Sequence, residues 1–184
     1  MIKKGDKMYS DEKTQIKIGL NNAIEGLERD AKIELCTEKG INLAREYFKK
    51  RCPNHTGYIS MAMIAYSATV LAYEFFLNWW NNNFHGELKT PDLDDNVFTA
   101  CSIICSTCSP KSEAKTGAGA GALGGFLLGG IFGAAIGAVL GGYGGQKMSE
   151  EATGEKYYSI LRESLEYLFN SIKNETNKLL EYML

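Results

Sequence analysis

Chemistry has few places to reside in this chain. Of its 184 residues only two are histidines, His55 and His85. His85 falls in a polar stretch, Asn81 to Gly86, and reads as a surface residue. His55 comes four positions after Arg51, in the run Arg51-Cys52-Pro53-Asn54-His55. A guanidinium is a fixed cation, and an imidazole exchanges protons near neutral pH, so this is the one pair suited to acid–base work. Pro53 breaks any helix between them, which leaves the arginine at a helix end and the histidine ahead of the next helix. The structural alternative is that Arg51 complements the helix dipole as a C-terminal cation. Cys101, Cys105 and Cys108 have the C-x3-C-x2-C spacing of a three-thiolate iron–sulfur motif. No strand precedes it, and the same spacing sets three small residues on one helical face. Asp92, Asp94 and Asp95 come after Pro91 and read as a solvated turn. No nucleophile elbow, zinc-binding HExxH or calcium loop is present. No cofactor and no metal site are expected.

A second pattern carries more information. Gly117, Gly121, Gly125, Gly129, Gly133, Gly137, Gly141 and Gly145 recur at every fourth position. They lie within Thr116 to Gln146, a stretch with no charged residue and no proline but with Leu123, Phe126, Leu127, Ile131, Phe132, Ile136 and Val139 between them. Residues four apart form a ridge on an α-helix. A ridge without side chains lets another backbone approach closely, the basis of GxxxG association in membranes. In water the stretch is a poor helix. Its thirteen glycines each cost about 0.8–1 kcal/mol relative to alanine. In a bilayer every backbone group must be satisfied within the segment, and a helix does that. The centre, Ala118 to Val139, is close to the ~20 residues that cross a hydrocarbon core. A linker and a close-packed soluble helix pair are the competing readings. A flexible linker does not intersperse Leu, Ile, Phe and Val.

The rest of the chain supplies helices to position these features. The spacing predicts a helix from about Ser10 to Glu38, striped by Ile16, Leu20, Ile24, Leu27, Ala31 and Leu35 and stopped by Gly40. A shorter helix runs from Ile41 to Lys50, and beyond Pro53 either Asn54 or Thr56 can cap the next helix. That helix, about Tyr58 to Asn82, is apolar nearly all round. Its polar exceptions Ser60, Ser67, Glu74 and Asn78 fall on one narrow stripe. Glu74 makes lipid costly for it, so it reads as a bundle core, with a second transmembrane span as the competing reading. The last helix, about Glu150 to Leu184, carries Leu161, Leu165, Leu168, Ile172 and Leu179 at heptad-like steps, a seam for a bundle or a subunit contact. The expected fold is all-α, a helical bundle with a glycine-zipper apolar helix or hairpin. Its organisation is a bundle domain over 1–110, the glycine-zipper segment over 111–148 and a C-terminal amphipathic helix over 149–184.

Length and charge narrow the class. The chain is about one domain long, and its net charge of −2 offers no global field for nucleic acid. Met1 to Lys13 is polar, with no apolar core of a signal peptide, so synthesis in the cytosol and approach to the inner membrane from that side are expected. Five cysteines without an export signal argue for reduced thiols.

The arginine–histidine pair across a helix break resembles the metal-independent ribonuclease site of HEPN domains, at a spacing shorter than that family's usual one. There Arg51 would stabilise phosphate charge and His55 would serve as acid or base. Together with the helical layout and the apolar segment, the chain resembles the small divergent-HEPN, membrane-associated accessory proteins of type VI-B CRISPR systems. That resemblance implies antiphage defence by a homo-oligomer that disturbs the membrane, with lipid, its own copies, and an RNA-guided RNase or RNA as partners. The alternatives are a HEPN-type RNase and a glycine-zipper envelope protein.

Overall fold

The segment Met61–Phe84 is apolar on nearly every side, and the fold is arranged to hide it. The computed structural model describes residues 4–84 and 150–183, which form four helices: α1 (Lys4–Leu35), α2 (Glu38–Arg51), α3 (Met61–Phe84) and α4 (Gly154–Met183). The protein is an all-α helical bundle, and no β-strand occurs among the described residues. α3 packs against α1, α2 and α4 and so occupies the centre. By length and composition α3 is long and apolar enough to cross a membrane, but 78% of its most apolar window is buried within the bundle, as befits a core helix.

The polar stripe of α3 is accommodated by position. Ser67 and Thr69 are fully buried and donate their hydroxyls to the carbonyls of Met63 and Ala65, one turn back. Glu74 is half-buried and accepts a bond from Tyr47, while Asn78, further along, is exposed. The helix therefore passes from wholly buried to one-sided along its length. Its cap is Ser60, whose hydroxyl accepts from the N–H of Met63 at 3.4 Å, in place of the expected Asn54 or Thr56.

α1 and α4 are antiparallel neighbours held in register by ion pairs. Lys17 meets Glu181 at 3.4 Å, Glu25 meets Lys173 at 3.3 Å and Lys32 meets Glu166 at 2.8 Å. Beneath this ladder lie Leu20, Ile24, Ala31 and Leu35 from α1 and Leu161, Leu165, Leu168 and Ile172 from α4. Ile16, expected in the stripe, is 47% exposed, at the level where the last turn of α4 meets α1 through Lys17 and Glu181.

Gly40 corrects another expectation. It does not stop α1. The break comes at Cys36 and Thr37, and Thr37 caps α2 by accepting the N–H of Gly40 on its hydroxyl oxygen at 3.0 Å. A Cβ at Gly40 would strike the backbone carbonyl of Leu35, so the glycine is there to let two helices meet at close range. α4 begins at Gly154, not at Glu150, because the backbone of residues 150–152 is bonded elsewhere. The N–H of Met61 donates to the carbonyl of Glu150 (2.9 Å), and that of Ala152 to the carbonyl of Ile59 (3.3 Å). The two segments form a single antiparallel bridge, Ser60 with Glu151.

Candidate functional site

α2 ends in three cations, Lys49, Lys50 and Arg51, where the helix dipole favours positive charge. Successive residues of a helix diverge by about 100°, so three in a row cannot converge on one ligand. Lys49 and Lys50 are exposed, whereas Arg51 is half-buried. Its guanidinium lies 5.4 Å from the centre of the Tyr47 ring, one turn back. The Tyr47 hydroxyl in turn donates to Glu74 of α3 at 3.2 Å. Burial, then the neighbouring Glu74 charge, push the Tyr47 phenol up to about 12, with Arg51 pulling the other way. The lone carboxylate of α3 is thus met by a phenol and, behind it, a cation.

The chain then turns sharply. The N–H of Cys52 closes α2 onto the carbonyl of Phe48 (2.8 Å), and the N–H of His55 donates to the carbonyl of Cys52 (3.1 Å). This carries the His55 ring edge-on against Phe48, 5.4 Å between centroids, where Phe48 is fully buried. Nε2 of His55 lies 3.1 Å from the carbonyl oxygen of Tyr58. A carbonyl only accepts, so Nε2 is the donor in this bond. Gly57, at φ +122, makes the bend that returns the chain toward α3.

Arg51 and His55 are therefore both half-buried at the α2–α3 junction, each seated on an adjacent aromatic of α2, Tyr47 for one and Phe48 for the other. Tyr47 and Glu74 are members of this cluster that spacing did not reveal. The only trace in the sequence is that Glu74 is the one acid in an apolar helix, which demands a partner from outside it.

The eight glycines Gly117, Gly121, Gly125, Gly129, Gly133, Gly137, Gly141 and Gly145 lie outside the described residues. So do His85, the acidic group at Asp92 to Asp95, and Cys101, Cys105 and Cys108. Among the described residues no group of three or more His, Cys, Asp or Glu side chains is placed to hold a metal ion. Burial raises the Cys36 thiol against the opposing pull of Arg162 and Lys32. No family model, curated protein or solved structure matches the chain.

Proposed function

We propose that the protein is a homo-oligomer that associates with the inner membrane through its glycine ladder, forms a pore-like assembly there and disturbs membrane integrity. The observation that carries this reading is the unbroken four-residue spacing of Gly117 to Gly145 within an uncharged stretch. Four residues advance a helix about 40° beyond a full turn, so the seven steps between the eight glycines wind most of the way round it. One partner crossing at about −40° would use two or three of the glycines. Neighbours on more than one side, as in a ring, use them all. The burial of α3 supports the same reading, since the other helix apolar enough to span lipid is already occupied as the bundle core.

The likeness to accessory proteins of type VI-B CRISPR systems supports a setting in antiphage defence beside an RNA-guided RNase. The ribonuclease alternative at Arg51 and His55 has less behind it, because one imidazole nitrogen is engaged with the Tyr58 carbonyl and the arginine is folded back on Tyr47. The test is paired Gly129→Leu and Gly133→Leu substitution. The mass of the detergent-extracted oligomer should fall, and dye release from liposomes should be lost. An unchanged oligomer with unchanged leakage would overturn the proposal.

A further inference from the structure

Where α1 and α4 meet, both helices carry the same side chains at the same spacing. On α1 these are Lys17, Asn21 and Glu25, and on α4 they are Lys173, Asn177 and Glu181, with four-residue steps in each set. Such steps keep each set along one face of its helix. Because the helices are antiparallel, Lys17 meets Glu181 at 3.4 Å and Lys173 meets Glu25 at 3.3 Å. Asn21 and Asn177 fall midway between the two pairs. The seam therefore has a local two-fold axis at the asparagines, although it joins two different helices.

A set with Lys at one end, Glu at the other and Asn at the centre is complementary to itself when antiparallel. A helix bearing it fits a second copy of itself by the same contacts that join α1 to α4, which is the condition for a two-fold interface. Like charges oppose in any parallel arrangement of the two sets.

The hold of α4 on this part of α1 is light. Its two ion pairs are largely exposed, so each contributes little. The side-chain oxygens of Asn21 and Asn177 are buried, yet neither accepts a hydrogen bond among the described residues, which is a cost to the seam. Past Ile172, Thr176 is the one buried residue of α4 as far as Tyr182. The last turns of α4 can therefore lift while Tyr157 to Ile172 stay in the core. On α1, Leu20 and Ile24 are buried beside the same stretch and need a cover when they do.

We infer that this face of α1 is a pairing surface for a second copy of the chain. When the last turns of α4 lift, α1 meets α1 of the other copy antiparallel, with Lys17 against Glu25 in both directions and Asn21 against Asn21 on the axis. There each amide can donate to the oxygen of the other, satisfying what the α1–α4 seam leaves open. The surface lies wholly on the bundle and does not depend on the membrane reading of the glycine ladder.

The seam can be broken without touching α1. Lys173→Glu with Glu181→Lys sets like charge against both Lys17 and Glu25 while the α1 face keeps its self-complementary set. Asn21→Cys, in the full-length chain, is the reporter: a disulfide between position 21 of two copies, identified by peptide mapping after mild oxidation, marks the axis. That link should form in the reporter chain, rise several-fold when the α4 set is reversed, and return to its starting yield when Lys17→Glu and Glu25→Lys are added to re-match the seam. Ile33→Cys, exposed on α1 away from this face, controls for chance collision and should not respond. A link at position 21 that ignores the reversal, or a parallel rise at position 33, would overturn the pairing surface. So would the absence of any 21-to-21 link in the reporter with its α4 set intact, a result that stands even where the reversed chain fails to fold.

Discussion

At the scale of single residues, the α2–α3 junction is an arrangement of half-buried polar groups seated on aromatics. Tyr47 is its sensitive member. Its phenol sits at about 12 in the folded protein against an ordinary value of 10.0, so the folded state holds the proton more tightly than the unfolded chain. The resulting stability is fully present below pH 10 and is lost as pH rises from 10 to 12. A two-unit shift corresponds to about 2.7 kcal/mol, and half-exposure of the group reduces it to about 1. Urea unfolding of the wild type and Tyr47→Phe at pH 8 and pH 11 checks this: the wild type should lose more stability than the variant between the two. Tyr157 and Tyr73, also raised by burial, leave a remaining slope in both proteins. Gly40 is the other residue with a sharp expectation. Gly40→Ala would favour helix by propensity alone, yet the added methyl meets the Leu35 backbone. Thermal melts should show a loss of about 1–3 kcal/mol. A gain would mean that the junction of α1 and α2 relaxes freely.

At the scale of elements, the α1–α4 ladder shows how register is specified. Along α1 the charges read Lys17, Glu25, Lys32, and along α4, in the opposing direction, Glu181, Lys173, Glu166. A slip of two turns one way brings Lys17 opposite Lys173 and Glu25 opposite Glu166. A slip the other way brings Glu25 opposite Glu181 and Lys32 opposite Lys173. Both set like against like, so the alternation penalises either displacement although each pair alone is weak. Lys32 is the firmest member. Burial alone would lower its pKa, but hydrogen bonds to Glu166 and Glu28 outweigh that and hold it above the ordinary value. Glu25→Lys should cost about 0.5–1 kcal/mol, and adding Lys173→Glu should recover most of it, as measured by a double-mutant cycle in denaturant. The helices themselves were legible from spacing: most of the α1 stripe and of the α4 seam is the buried face observed, with Ile16 and Leu179 the exposed exceptions. Their ends were not. Gly40 read as a stop because glycine favours that role, whereas tertiary packing used it for close approach. Glu150 read as helical because nothing local marks a backbone that will pair with Ile59 and Met61.

At the scale of the whole molecule, a small helical bundle shares its chain with an apolar glycine ladder. Leucine at Gly129 and Gly133 tests what the ladder does. α3 is packed against three neighbouring helices, which bury most of its apolar length. The helical class and the singular spacing of the glycines were determined by the sequence by itself, since hydrophobic period and glycine content are local properties that a chain carries wherever it goes. Only the tertiary structure decided that Glu74 is answered by Tyr47, that Arg51 and His55 rest on separate aromatics, and that residues 150–152 are tied to Arg45 on α2 and to Ile59 and Met61. Those are contacts between positions from a few to more than a hundred residues apart, and their geometry is set by how helices pack, which no local pattern encodes.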